Sequence, residues 1–275
     1  MKDIYAEVTD RIIKQLEQGV IPWQKPWIAS GAAISHSTGK PYSLLNQILL
    51  SRPGEYATFK QISEEGGRVK KGAKSSMVVF WKWIEQEDED NPGEMKKIPF
   101  LRYYNVFHID QCEGIQPKHS RPLPDVVRPD EAAEAIAADY LQRSGVTLTH
   151  EAGDRAFYRP STDSITLPTL AQFKNTAEYY STLFHEMTHS TGHSSRLNRL
   201  TKTAAFGSEE YSKEELIAEI GAAALVNHAG LETSSSLTNS AAYIKSWLAA
   251  LRDDKRLIVS ASGKAEKAVN LILNQ

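Results

Sequence analysis

A single cysteine, Cys112, stands in 275 residues. One thiol cannot close an internal disulfide, so the chain is expected to fold without covalent staples, as suits a reducing cytosol. Charge of one sign is also lacking: 32 basic side chains face 34 acidic ones, a formal net of −2. So balanced a chain carries no general attraction for nucleic acid or anionic lipid, and any basic surface has to be local. Long apolar runs are missing too. Nothing approaches the roughly 20 residues that cross a bilayer. The opening MKDIYAEVTDRII is charged every few residues and holds no apolar signal-type stretch. These absences lead us to expect a soluble, cytoplasmic chain with no membrane partner.

What is present divides the chain. At 41% hydrophobic content it can fill one large domain or two ordinary ones. Residues 115–130, IQPKHSRPLPDVVRPD, hold four prolines and little apolar periodicity. Proline removes the backbone donors that helices and ladders need, so this stretch reads as a linker. The expected organisation is α+β in two domains, 1–115 and 130–275, joined by 116–129. Residues 1–83 carry 12 basic against 7 acidic side chains, and six acids crowd between Glu85 and Glu94.

In the first domain Ile4, Val8, Ile12 and Leu16 recur at helical spacing, and Gly19 supplies a stop. VIPWQKPW follows, extended by its prolines, with Trp23 and Trp27 around Lys25. A second helix is expected from Tyr42 to Leu50. SSMVVFWKWIEQ and KKIPFLRYYNVFHIDQ then form two aromatic-rich strands around EDEDNPGEM, which predicts a long hairpin with an acidic tip. In the second domain we expect helices at 130–143, from Asn175, at 212–228 and near 239–251. A strand pair is expected over DRAFYRPSTDSITLP; its edge could take a substrate peptide as an added strand, or it could simply cover the core.

The chemistry concentrates in FHEMTHSTGHSSRL, residues 184–197. His185 and His189 lie four apart, on one helix face, and can aim two imidazole nitrogens at one point. Zinc takes such ligands, and a catalytic site wants three from the protein plus a water. Glu186, one residue round the helix, is placed to take that water's proton as general base. Asn175 and Glu178 suit a capping box and Gly192 a C-terminal stop. His193 is excluded as third ligand. The pattern HExxHxxGxxH requires a histidine where this chain has Ser195, and His193 arrives two residues early.

A carboxylate from YSKEELIAEIGAAALVNHAG is the better candidate. Glu215 and Glu219 share one face of a nearly all-apolar helix, where two carboxylates are costly unless paired or bound to metal. Glu215 as ligand and Glu219 as the acid orienting a ligating histidine is the favoured assignment. If Ser212 and Glu215 instead make a capping box, Glu219 becomes the ligand. The metal expected is one divalent ion, zinc, with manganese or cobalt as alternatives.

Around the first strand, Lys60, Arg68, Lys70, Lys71 and Lys74 interleave with Phe59, Trp81 and Trp83. Cations neutralise phosphates, and aromatic faces stack on unpaired bases without reading them. With Trp23, Lys25 and Trp27, these are the candidate contacts for single-stranded DNA.

The order IYAEVTDRIIKQLEQGVIPWQKPW, GKPYSLLNQILL, ATFKQ, GGRVKKGAKS, VVFWKW, RYYNVFHIDQCEGI, FHEMTHSTGH and EELIAEIGAA resembles the ArdC antirestriction proteins, which conjugative plasmids carry and which are related to the N-terminal part of TraC-type primases. The resemblance implies a single-stranded-DNA-binding N-terminal domain and a C-terminal zincin-like metallopeptidase domain, which the two histidines and a glutamate would make gluzincin-like. It implies protection of incoming DNA from restriction, with His185, His189 and a glutamate of EELIAE as ligands and Glu186 as base. Whether such a chain also cleaves a protein substrate, for instance a host restriction component, is left open by the resemblance. Two other readings stand beside it: a metallopeptidase whose first domain recognises a protein, and a primase-accessory DNA binder with a structural metal.

Overall fold

The computed structural model describes residues 3–24, 32–50, 52–87, 95–119, 129–153, 155–173, 175–200, 209–231, 245 and 247–275. The chain forms two compact units. The smaller takes in 1–8 and 32–121, the larger 9–31 and 122–275. The division falls within helix α1 (Ile4–Glu17), which ends just before Gly19, at φ 75°. Residues 9–24, read from sequence with the first domain, group with the larger unit because their apolar face is buried there. Ile12, Leu16 and Trp23 are core residues, and Trp23 packs edge-on against Trp247 at 5.1 Å. Thr9 donates to the Lys255 carbonyl at 2.7 Å.

The smaller unit is built on a four-stranded sheet. Strand β1 (Ala33–Ser35) pairs in parallel with β2 (Gly54–Thr58), the two bridged by α2 (Leu44–Leu49). After β2 comes α3 (Phe59–Glu64), opened by a Thr58–Gln61 capping box. The two-residue strand β3 (Arg68–Val69) leads into β4 (Ser76–Glu87) and β5 (Met95–His108), and β6 (Cys112–Glu113) returns to pair with β3. The sheet order is β1-β2-β5-β4. Successive strand residues point to opposite faces. Tyr56 accordingly enters a cluster with Ala33, Leu50, Val78 and Val106, while Ala57 enters one with Ile62, Ile109, Cys112 and Ile115. Asn46 is buried in α2 and bonds both backbone groups of Val79 at 2.8 Å, pinning the outer edge of β4. Glu55 accepts from the Lys118 and His119 amides at 3.0 and 2.6 Å, which fastens 118–119 to the same sheet.

The expected hairpin forms in register from Ser76 opposite Val106 to Glu87 opposite Met95, and its acidic tip lies outside the described residues. β2 pairs with β5 only from Val106 to His108, so beyond that point β4 and β5 run on as a two-stranded ribbon.

The larger unit holds α4 (Pro129–Ser144) and a sheet of β7 (Thr147–Glu151), β8 (Phe157–Arg159) and β9 (Ser164–Pro168) in the order β7-β9-β8. β8 and β9 are the expected pair. β7, parallel to β9, was not foreseen: its five residues are mostly exposed and give no clear alternation. Helices α5 (Thr176–Ser190) and α6 (Glu209–Ala229) pack face to face, and α7 (Leu257–Leu273) packs on α6. Within the expected helix near 239–251, residues 247–251 are described as helical. Phe184, Met187, Leu216, Leu225 and Ile258 are fully buried between these helices. At Gly221 an added Cβ would lie 2.7 Å from Thr188 Cγ2, so glycine there lets α6 approach α5 closely.

Candidate metal centre

α5 begins at Asn175, whose side chain accepts from the Glu178 amide at 2.8 Å, and the next turns are anchored by the buried Tyr179, Tyr180, Leu183 and Phe184. That burial fixes the helix's rotation, and with it the direction of His185 and His189. Their Nε2 atoms are 3.1 Å apart. From α6, the Glu215 carboxylate faces both: Oε2 lies 3.5 Å from His185 Nε2 and Oε1 3.3 Å from His189 Nε2. The three donor atoms lie within 4.8 Å of one another, the one such group of three among the described residues.

These separations suit a divalent cation. Ligand bonds of about 2.0–2.1 Å in a tetrahedron imply donor–donor edges of roughly 3.3 Å. Charge agrees with distance. Glu186 and Glu215 are buried, Glu214 and Glu219 partly so, and Arg199 pairs with Glu214 at 2.9 Å. Acidic side chains gathered around two imidazoles suit a divalent cation once the histidines are neutral.

Each histidine has a second partner on its outer nitrogen. Glu219 Oε1 stands 3.6 Å from His185 Nδ1, and Glu214 Oε1 3.2 Å from His189 Nδ1. The structure thus places Glu215 at the inner nitrogens and Glu219 behind His185. Glu214, unremarked in the sequence because its neighbour carried the apolar periodicity, serves His189. His193 turns to the loop, where its Nδ1 meets the Ser195 hydroxyl at 2.8 Å.

The ionisation of the metal-free cluster follows from this packing. Burial opposes charge on both histidines, but the facing carboxylates outweigh it. His185 is raised by Glu215, and His189 is pushed up to about 10 by Glu214 and Glu215. Burial likewise works to raise Glu215, yet hydrogen bonds from His185 and His189 hold it well below the usual carboxylate range. Imidazole must shed its proton to ligate a metal. Both histidine shifts are upward, so protons compete with the ion for these nitrogens. We expect metal affinity to rise with pH across neutrality, by about one decade per unit for each proton displaced, with protons released on binding. Calorimetry in buffers of different ionisation enthalpy measures that release; an affinity flat over this range would contradict it.

The candidate DNA contacts scatter more widely. Phe59 and Trp81 are exposed, and so are Lys60, Arg68, Lys70, Lys71 and Lys74. Arg68 is engaged with Glu113 at 2.6 Å and Lys70 with the Asp110 carbonyl at 2.8 Å. Trp23 is 3% exposed in the larger unit, so it is a core residue and not a stacking surface. Lys25 and Trp27 lie outside the described residues, as does the side chain of Trp83. The sequence reading missed Phe80, Tyr103 and Tyr104, each at least 40% exposed on the ribbon. The register places Phe80, Arg102 and Tyr104 on one face and Trp81, Leu101 and Tyr103 on the other. The adjacent pairs FW and YY were the available signal, because neighbours in a strand cannot share a face.

Comparison with known proteins places this geometry. Residues 132–264 match the model of a zincin-like metallopeptidase domain, and residues 2–107 that of the N-terminal domain of anti-restriction factor ArdC. The crystal structure of the antirestriction ArdC protein from plasmid R388 is 40% identical in its metal-free form, covering 99% of this chain and 97% of that one at a TM-score of 0.76. Its Mn(II)-bound form is 38% identical at a TM-score of 0.78, covering 99% and 98%. An Escherichia coli DNA primase TraC is 38% identical over 99% of this chain, which spans only 20% of that primase's length.

Proposed function

The chain belongs to the ArdC antirestriction family, and from that membership and the metal-centre geometry we propose a two-part activity. The smaller unit binds single-stranded DNA without reading sequence, and the larger hydrolyses peptide bonds at a divalent-metal centre. Together they protect incoming plasmid DNA from the recipient's restriction system. The observation that carries the reading is the convergence of His185, His189 and Glu215 from α5 and α6, with the buried Glu186 on the turn beside them. The zincin-like domain match and the Mn(II)-bound relative support a divalent ion there.

When bound, the cation would act as a Lewis acid that acidifies a water and polarises a carbonyl. The chain's own groups do the rest. His185 and His189 present neutral Nε2 atoms, with Glu214 accepting from His189 Nδ1 and the Glu219 carboxylate facing His185 Nδ1. Glu186 is placed to accept a proton and return it to the leaving amine. The antiparallel edge strand β8 offers backbone groups to an extended substrate, and Arg196 fixes its approach. Arg196 bonds the Ser190 carbonyl ending α5 at 2.8 Å and Asp163 in the β8–β9 turn at 3.0 Å.

On the ribbon, the exposed Phe80, Trp81, Tyr103 and Tyr104 supply stacking surfaces, with Arg102 beside them and Lys71 and Lys74 at its base. Phosphate neutralisation makes such binding steeply salt-dependent. The full chain should therefore bind a fluorescent oligothymidine with an affinity that falls at least about tenfold between about 50 and 200 mM salt. The pair Lys71→Glu and Lys74→Glu should weaken it further and flatten the slope. An absence of binding at low salt sinks the DNA reading and favours a first domain that recognises protein.

A further inference from the structure

The two ligating histidines are held by different machinery. His185 has Glu219, from α6, behind its Nδ1 at 3.6 Å. His189 has Glu214 at 3.2 Å, and Glu214 is itself gripped. Arg199 Nε donates to both Glu214 oxygens, at 3.2 and 2.9 Å, and Nη2 donates to Oε1 at 2.9 Å. The same guanidinium donates through Nη1 to Thr191 Oγ1 at 2.7 Å and through Nη2 to the Thr188 carbonyl. Its side chain is 8% exposed and that of Glu214 13%. A planar fork with every nitrogen engaged has little freedom left.

Arg199 reaches this position because the loop after α5 doubles back on Gly192. The Arg199 and Leu200 amides both donate to the Gly192 carbonyl at 3.0 Å. An added Cβ at Gly192 would stand 2.8 Å from Leu200 Cγ and 3.0 Å from Arg199 Cγ, so only glycine admits the return. The positive guanidinium then sits against the last turn of α5, where the unpaired carbonyls carry the helix's negative end.

We propose that Glu214, clamped by Arg199, is the positioning residue that fixes His189 as a metal ligand, so that the 191–200 loop is a working part of the metal centre. Glu214 accepts the Nδ1 proton and so commits Nε2 to the ion. Arg199 keeps the carboxylate from swinging inward to compete with Glu215. The inference rests on His185, His189 and Glu215 being the ligands, and the test separates the two ideas.

The full chain, stripped of metal, is titrated with zinc ion alone against a chromophoric chelator. His189→Ala is the control and should abolish tight binding. Glu214→Ala should weaken zinc about 10–100-fold, the usual effect of losing an outer partner of a ligand. Glu214→Gln should recover most of that loss, because its side-chain oxygen still accepts from Nδ1. A purely structural ion pair would lower the melting temperature and leave zinc affinity where it was. Nitrogen-15 shifts of His189 in the zinc-loaded wild type need no variant, and they should show a protonated Nδ1 and a metal-bound Nε2. Unchanged zinc affinity in Glu214→Ala while His189→Ala loses binding, or a metal-bound Nδ1, overturns the proposal. Wild-type zinc affinity in His189→Ala overturns the ligand assignment beneath it.

Discussion

Glu215→Ala protein leaves purification without its divalent ion, whereas Glu219→Ala protein keeps it. The expectation follows from where each carboxylate points. Glu215 is 7% exposed and puts one oxygen 3.5 Å from His185 Nε2 and the other 3.3 Å from His189 Nε2. Glu219 meets His185 from the far side of the ring, at Nδ1. Removing a ligand leaves two imidazoles on one helix, and removing an outer partner leaves the donor set whole. The first should cost at least about a thousandfold in affinity and the second about 10–100-fold. Metal analysis of wild type, His185→Ala, Glu215→Ala and Glu219→Ala reads this as near-unit stoichiometry in wild type and Glu219→Ala alone. A thermal readout runs in parallel. An ion at a hundred times its dissociation constant stabilises the folded state by about 2.7 kcal/mol. Added zinc should therefore raise the melting temperature of wild type and Glu219→Ala and leave that of Glu215→Ala unmoved. Metal retained in Glu215→Ala and lost in Glu219→Ala would exchange the two roles.

What made this site readable in advance was its locality. His185, Glu186 and His189 lie within five residues of one helix, and Asn175 marks where that helix begins. Spacing alone therefore sets their relative directions. The proposed third ligand is non-local. Glu215 and Glu219 share a face of α6, and periodicity narrows the choice to those two without deciding it. Glu215 rather than Glu219 faces the inner nitrogens because of the α5–α6 approach, which Gly221 permits against Thr188, and no one-dimensional pattern shows which residues meet across it. Glu214 and Arg199 were illegible for the same reason: a charged residue beside an apolar stripe and an arginine in a loop both read as solvated surface. α7 escaped because its large apolar residues cluster at its two ends, while the buried positions between them are small, Ala261, Ser262, Ala265 and Ala268, with Gly263 in the same stretch. The hairpin was the opposite case. Two long β-branched and aromatic runs around a turn announced a long hairpin, and the structure supplies its register, from Ser76–Val106 to Glu87–Met95. What they did not specify was that β2 stops at Val106, leaving aromatics exposed on both faces of the ribbon.

Glu186→Gln keeps the metal and loses peptidase turnover. Glu186 lies one residue past His185 and outside the trio whose donor atoms converge, so its replacement subtracts no ligand. It is 7% exposed, and glutamine has its shape, so packing around Phe184 and Met187 is retained. The amide cannot accept a proton at neutral pH and hand it on. Positioned general bases contribute about 10²–10⁴ in rate, so turnover of an unstructured protein substrate should fall by at least about a hundredfold. Zinc content and melting temperature should match the wild type, which separates this variant from Glu215→Ala, where all three change. Retained turnover would remove Glu186 from the role of base. The same variant divides the two halves of the proposed function in a restricting host. Full loss of protection would tie antirestriction to hydrolysis. Full protection with no turnover would assign it to the smaller unit's hold on DNA, with the metal centre serving another task.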